Sequence, residues 1–155
     1  MKLSTFSRYS LALEMLSLDA RVSIVSKQTG FSREVLREMY EEMHHRSSSA
    51  GSVKSSSNFF LKSYRLTKES TAYAFFLRIE NSHDFHRQVI NAYRYYVSYI
   101  RKLSKSSPLL DFSDAWVLSE WIDEGVIKLV RCSYFRSAKL ITNELRHHVC
   151  CVCRT

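Results

Sequence analysis

Glycine and proline are scarce in this chain, with three glycines and one proline in 155 residues. A sheet built from many strands needs these residues at its tight turns, so the scarcity disfavours an all-β fold. The hydrophobic fraction of 45% and the aromatic fraction of 13% are sufficient for a packed core. The sequence therefore predicts a mainly α-helical protein.

The first part of the chain predicts a bundle of three short helices. Residues 4–18 carry apolar side chains at helical spacing. In the next segment, Gly30 interrupts a second helix and Ser32 is placed to N-cap a third. This pattern suits a helix-turn-helix unit, although ordinary helical hairpins share it. If the third helix contacts bases, Arg33 and Arg37 are the candidate DNA-binding residues.

The third predicted helix also carries acidic side chains that count against DNA reading. They are Glu34, Glu38, Glu41 and Glu42. Carboxylates on a face that meets phosphates are repelled by them. Plain packing of a helical hairpin therefore stays open as the alternative interpretation.

The middle of the chain predicts a linker followed by three further helices. Residues 46–57 are rich in serine and indicate a flexible linker. The helices are expected over residues 67–81, 84–103 and 113–124. For the second of them we expect a core-facing stripe of Phe85, Val89, Ala92, Tyr96, Tyr99 and Leu103.

The pattern changes after Gly125 to two short runs with β propensity, VIKLVRC and KLIT. The expected organisation is therefore a helical domain over residues 1–125, containing the linker, and a small β region over residues 126–155. No run of about 18 apolar residues occurs, so no membrane span and no membrane partner are predicted. No signal peptide is visible, which predicts a cytoplasmic protein.

Three cysteines have spacings typical of a zinc ribbon, in which two Cys-x-x-Cys pairs flank a hairpin. The candidate ligands are Cys132, Cys150 and Cys153, with His148, His147 or Cys151 as the fourth. Phe135 stands three residues after Cys132, so the first pair is only half present. The pattern predicts a structural zinc site or, since buried cysteines are common in cores, a site that stays empty.

The charge predicts an anionic partner, because the net charge is +8 and residues 126–155 hold six Lys/Arg against one Asp/Glu. Nucleic acid is the first candidate, ahead of a membrane surface or no such partner. The expected phosphate contacts are Arg131, Arg136, Lys139 and Arg146. No phosphate-binding glycine loop and no His-Glu-x-x-His pattern occurs, so an enzyme is not expected.

Three long stretches resemble the FlhC family, a subunit of the bacterial flagellar transcription activator, with relatives that activate conjugation genes. They are LALEMLSLDARVSIVSKQTGFSREVLREMYEEM, INAYRYYVSYI and PLLDFSDAWVLSEWIDEGVIKLVRC. The resemblance implies a mostly helical protein with a zinc-ribbon-like end. It also implies a small helical partner, FlhD or its equivalent, together with promoter binding and recruitment of RNA polymerase. The family's four zinc cysteines correspond to Cys132, Phe135, Cys150 and Cys153.

The leading hypothesis is therefore a DNA-binding activator subunit that acts with an FlhD-like partner at flagellar or conjugation-type promoters. The alternative is a protein-interaction subunit of such a complex that has lost DNA binding. The acidic third helix and the phenylalanine at a cysteine position favour this alternative. A small metalloenzyme is the weakest reading, since neither a general base nor a pocket motif is evident.

Overall fold

The computed structural model describes residues 2–49, 51–104 and 107–143, and the following statements concern these residues. The helices are α1 (Leu3–Ser17), α2 (Val22–Thr29), α3 (Arg33–His44), a 3-10 helix (Ser57–Leu61), α4 (Tyr64–Glu80), α5 (Phe85–Ser104) and α6 (Phe112–Asp123). The strands are β1 (Ile127–Arg131) and β2 (Ala138–Thr142). The prediction of a mainly helical protein with a small β region near its C-terminal end is confirmed.

The chain forms two compact units. Unit 1 comprises residues 1–52 with residues 111–113, and unit 2 comprises residues 53–110 together with the chain from residue 114 onward. The predicted domain boundary at residue 125 stays a prediction. None of the helices in the described part of the chain combines the length and apolarity that crossing a bilayer requires.

Unit 1 is built on α1, which packs against both α2 and α3. Its core includes the fully buried side chains of Met15, Leu16 and Leu36. At its edge, the Tyr40 hydroxyl donates to the Asp19 carboxylate, which also accepts from the Arg46 guanidinium. Burial, followed by this hydrogen bond, raises the pKa of Tyr40 to about 12. These contacts tie the α1–α2 turn to the C-terminal end of α3.

Unit 2 is organised by the packing of α4 on α5 around a buried carboxylate. Glu69 on α4 accepts the Tyr96 hydroxyl, the Leu109 backbone N–H at 2.7 Å and the Arg65 guanidinium at 3.3 Å. Glu69 is 5% exposed, and these fixed donors replace the water that its carboxylate loses on burial, which offsets the cost of burying the charge. The Tyr73 hydroxyl shares a hydrogen bond of 2.6 Å with Ser119 of α6.

Two details of the predicted helices are wrong. The fourth α-helix begins at Tyr64, because Ser63 rather than Thr67 caps it and accepts the Leu66 N–H at 3.3 Å. Tyr99 and Leu103 are exposed rather than core residues of α5. Ile100 takes the inward position one turn after Tyr96, and Leu103 lies in the last turn of the helix.

The two strands form an antiparallel hairpin, as the β-rich runs predicted. Ile127 pairs with Thr142 and Leu129 pairs with Leu140, and these side chains supply the more buried face. Both strands contact α4 of the same unit. The hairpin therefore has one face packed on the helices and an exposed end, formed by the loop over residues 132–137.

Candidate nucleic-acid interface

The turn between α2 and α3 has the local structure that its sequence predicts. Gly30 adopts a left-handed φ of 72° as the C-cap of α2, and Ser32 accepts the Val35 N–H at 3.4 Å as the N-cap of α3. A Cβ on Gly30 would lie 2.8 Å from Arg8 Nη2, the end of a flexible side chain that can shift, so the left-handed conformation is the main reason for glycine at this position. The Arg8 Nε donates to the Thr29 carbonyl at 2.6 Å and thereby holds α1 against the turn.

A basic cleft of about 260 Å³ lies at the start of α2, within unit 1. We call it the arginine cleft, and its polar side chains are Arg21, Arg33, Arg37, Ser23, Ser48 and Ser49. Its volume is several times the roughly 30 Å³ that one liquid water occupies, so it can hold a hydrated phosphate group. Guanidinium and hydroxyl groups are typical donors to phosphate oxygens.

The backbone and one carboxylate position the guanidinium group of Arg21 in the arginine cleft. Arg21 Nη1 donates to the Ser52 carbonyl at 3.2 Å, and its Nη2 lies 3.8 Å from the Asp111 carboxylate. Gly51 has a φ of 125°, and a Cβ there would approach Arg21 Nη1 to 3.1 Å. Arg21 is therefore held in place within the arginine cleft, and Asp111 offsets part of its charge.

Glu34 offsets a further part of that charge. Its pKa is lowered first by a hydrogen bond with its own backbone and then by Ser32, with smaller contributions from the charges of Arg37 and Arg33. Because the pKa lies below the ordinary value of 4.5, Glu34 is ionised at neutral pH. An anion entering the arginine cleft thus meets attraction from the guanidinium groups and repulsion from this carboxylate.

The outward face of α3 is acidic. Its exposed carboxylates are Glu34, Glu38, Glu41 and Glu42. Arg33 and Arg37 lie between this acidic face and the buried face that contains Leu36 and Tyr40. The arginines therefore reach the cleft near the start of α2, and α3 does not present a continuous basic surface.

The β1–β2 hairpin is the second basic surface. Residues 126–143 hold four Lys/Arg and no Asp/Glu. Arg131 ends β1, Lys139 lies on β2 opposite Val130, and Arg136 lies in the loop with a left-handed φ of 53°. Within the described residues, no ion pair engages these three side chains. The positive charge of these three side chains is therefore not offset by a carboxylate in the described part of the chain.

The loop over residues 132–137, which we call the tip loop, is closed by backbone hydrogen bonds. The Cys132 N–H donates to the Ser137 carbonyl at 2.7 Å, and the Arg136 N–H donates to the Cys132 carbonyl at 2.9 Å. Cys132 is 2% exposed, whereas Tyr134 and Phe135 are 77% and 61% exposed. The side chain of Phe135, which the resemblance predicts to occupy the second zinc-cysteine position, is therefore exposed to solvent.

The remaining predicted site residues lie outside the described part of the chain. They are Arg146, His147, His148, Cys150, Cys151 and Cys153. Across residues 2–49, 51–104 and 107–143, no group of three or more His, Cys, Asp or Glu side chains is arranged to hold a metal ion. The zinc site and its ligands stay a prediction.

Sequence reasoning missed Arg21, Ser48, Ser49 and Tyr134. Ser48 and Ser49 were assigned to a linker, and Arg21 carries no local signal because its proximity to Arg33 and Arg37 arises only from folding. Tyr134 has a signal that went unused. Two adjacent aromatic residues between a cysteine and an arginine, in a loop between two strands, indicate an exposed aromatic loop.

Comparison with known proteins identifies the class as transcription regulators. The family model described as "Flagellar transcriptional activator (FlhC)" matches residues 3–155. The flagellar transcriptional regulator FlhC of Serratia marcescens is 29% identical over 149 residues, covering 93% of this chain and 76% of the relative. That of Gallionella capsiferriformans is 28% identical over 150 residues, covering 92% and 81%.

The chain therefore belongs to the FlhC family. The FlhC protein of Cupriavidus necator is similar as well, at 29% identity over 149 residues, with 92% of this chain and 72% of the relative covered. The family is one of transcriptional regulators rather than enzymes, and the resemblance noted in the sequence is confirmed.

Proposed function

We propose that this chain is the DNA-binding subunit of a cytoplasmic transcription activator. The observation that carries the proposal is the hairpin over residues 126–143, which combines four cations with no acid in a chain of the FlhC family. Lysine and arginine side chains that meet phosphates release the counter-ions condensed on DNA, which is the main source of affinity for the backbone.

In this proposal the two basic surfaces have different roles. Arg131, Arg136 and Lys139 on the hairpin contact DNA phosphates through their uncompensated charge. Arg33 and Arg37, together with Arg21, hold one phosphate group in the arginine cleft. Backbone contacts of this kind set the register of a protein on DNA but carry little sequence information. The acidic outward face of α3 argues against that helix as the main reader of bases.

A small helical partner of the FlhD type is part of the proposal. An apolar surface on α4 and α5 supports it, formed by the exposed side chains of Phe75, Ile79, Tyr95, Tyr99 and Leu103. The Phe76 ring lies 5.5 Å from that of Tyr99 and 6.5 Å from that of Tyr95, so aromatic groups of both helices meet there. Exposed apolar side chains that two packed helices share are typical of protein contacts. The assembled complex would recruit RNA polymerase to flagellar or conjugation-type promoters.

A structural zinc ion is a further part of the proposal. Cys132, Cys150, Cys153 and His148 would hold it, since thiolates and imidazole are the ligands that zinc prefers. Cys132 is buried at the base of the tip loop, and an ion bound there would link this loop to the end of the chain. Metal content of the purified protein, measured together with its stoichiometry, tests this component separately.

The proposal is tested by selection of DNA fragments. The chain is co-expressed and co-purified with an FlhD-like small helical protein and incubated with fragmented genomic DNA, and the retained fragments are sequenced. We expect enrichment of fragments upstream of transcription start sites and weaker retention as salt increases. Retention without enrichment, or retention that is independent of salt, would contradict direct promoter recognition.

The alternative function is a protein-interaction subunit without direct DNA contact, and the four exposed glutamates of α3 favour it. Reversing two hairpin charges with Arg136→Glu and Lys139→Glu separates the two functions. If promoter occupancy in cells is unchanged by this double variant but lost without the chain, the alternative is supported. If occupancy falls while the partner still co-purifies, direct DNA contact is supported.

A further inference from the structure

The tip loop exposes two large aromatic side chains next to each other, Tyr134 and Phe135. Burying large apolar side chains stabilises a folded protein, and leaving both of these in water forgoes that stabilisation. Single exposed aromatics are ordinary, but an adjacent pair at the end of a hairpin forms a local apolar surface. Such a surface is typical of a contact with another molecule.

The charge around this aromatic pair selects the kind of molecule. Arg136 follows Phe135 directly, Arg131 ends the strand before the loop, and Lys139 lies on the strand after it. With no acidic residue in 126–143, an acidic surface complements this one. Aromatic side chains flanked by cations match the two exposed parts of a nucleic acid, since rings stack on bases while cations meet phosphates.

The backbone of the tip loop holds the pair in place before any ligand arrives. The closing hydrogen bonds from Cys132 to Ser137 and from Arg136 to Cys132 fix both ends of the loop. Arg136 adopts the left-handed conformation that reverses the chain immediately after Phe135. A loop ordered in advance loses less conformational entropy when it binds.

We propose that Tyr134 and Phe135 stack on nucleobases of the bound DNA. The proposal rests on the proposed DNA-binding function and adds to it a contact that reaches past the phosphate backbone. The group that the two rings would recognise is the flat face of a base. Such a face is accessible where two neighbouring base pairs of a duplex are partly unstacked, and also in a single strand. Insertion of this kind would kink a duplex or hold open a melted one.

The experiment is photo-cross-linking of the full-length chain, co-purified with its small helical partner, to DNA that contains 5-iodouracil. One probe is a mixed-sequence duplex and the other is the corresponding single strand. We expect the cross-linked peptide to contain Tyr134 or Phe135. The probe that cross-links more efficiently identifies the source of the base.

Variants make the result specific to the aromatic rings. Replacing both residues with Tyr134→Ser and Phe135→Ser should abolish the cross-link and weaken DNA binding about 30-fold, since each ring lost at the lower end of the range for base stacking costs about fivefold. Phe135→Trp alone should preserve the cross-link, because a larger ring also stacks. The matched control is Tyr64→Ser, which removes a 51% exposed tyrosine elsewhere in unit 2, outside the proposed partner surface, and should change neither measurement.

The possible outcomes separate this inference from the function on which it rests. If the chain binds DNA but its cross-links fall elsewhere and the double serine variant binds normally, base stacking is overturned while DNA binding stands. If the double serine variant instead loses a protein partner and keeps its DNA affinity, the inference is overturned in favour of a protein contact. If the unmodified chain binds neither probe, the proposed function fails and the inference fails with it.

Discussion

The arginine cleft and the hairpin are both basic, but they hold their charge in different ways. In the cleft, Arg21 is positioned by the Ser52 carbonyl and the Asp111 carboxylate, and Glu34 lies beside Arg33 and Arg37. The hairpin has no acidic residue at all. In the cleft, the position of Arg21 is fixed by its contacts, and nearby carboxylates reduce the net positive charge. In the hairpin, no acidic residue of the same segment reduces the net positive charge.

This difference shows why a count of lysines and arginines is a poor guide to an interface. A guanidinium with a carboxylate beside it contributes less to the attraction of a distant phosphate, although its position is better defined. The hairpin is expected to dominate affinity and its dependence on salt. The cleft is expected to contribute more to the register in which DNA binds.

The largest expected effect is on the hairpin, from the double variant Arg136→Ala and Lys139→Ala. Loss of two phosphate contacts should weaken binding to a short duplex about 30-fold at physiological salt and reduce the salt slope by about two. Fluorescence anisotropy across a salt series measures both quantities. The matched control is Lys54→Ala with Lys62→Ala, which removes the same charge from lysines that lie 4.6 Å from the Phe59 ring. Equal losses in the two pairs would show that only total charge matters.

A smaller loss is expected in the arginine cleft, from Arg33→Ala with Arg37→Ala. We expect about a tenfold decrease in affinity, since Glu34 offsets part of the charge that is removed. The same anisotropy titration applies, with Lys2→Ala and Lys27→Ala as a control for charge in unit 1. A decrease no larger than that of the control would remove the cleft from the interface.

The helix caps test whether the geometry of the cleft matters. Ser32→Ala removes the N-cap of α3 and should lower the free energy of unfolding by about 1 kcal/mol, measured by urea titration. Ser63→Ala removes the equivalent cap of α4 in unit 2 and should cost a similar amount. Only Ser32→Ala should also weaken DNA binding, because it loosens the turn that carries Arg33. Identical binding by both variants would argue against a preorganised cleft.

The smallest expected effect comes from removing a carboxylate, with Glu34→Gln. The pKa of Glu34 lies below 4.5, so the side chain is charged at neutral pH and the substitution removes a full negative charge. Affinity for DNA should rise about twofold, and the difference should vanish when pH falls far enough to protonate Glu34. The control Glu42→Gln removes the same charge elsewhere on α3. Equal increases in DNA affinity from both variants would show that Glu34 does not weaken binding through the arginine cleft.

Much of the local structure could be predicted from the sequence because its signals are local. Gly30 and Ser32 placed the turn between α2 and α3, and the two β-rich runs placed the hairpin. The start of α4 was missed because Ser63 and Thr67 are both plausible caps, and only the geometry at Leu66 distinguishes them. Tyr99 was assigned to the core because a three-residue step from Tyr96 looks as good as the four-residue step to Ile100.

The candidate site was predictable to a smaller extent. Arg33 and Arg37 were identified from the turn pattern, and Arg131, Arg136 and Lys139 from the concentration of charge. Nothing in the sequence indicated that Arg21 shares a cleft with the first two, since the contacts join residues separated by a helix and a turn. Such proximity depends on how α2 and α3 cross, which is decided by packing rather than by local propensity.

The sequence by itself determined the helical class, the turn at Gly30, the hairpin and the net positive charge, because each depends on residue types at short spacing. Only the tertiary structure decided that Arg21 lies beside the carboxylate of Asp111 and shares a cleft with Arg33 and Arg37. It alone placed Cys132 in the interior while leaving Tyr134 and Phe135 in solvent. The reason is physical, since exposure and electrostatic environment depend on neighbours that the fold brings together from distant parts of the chain.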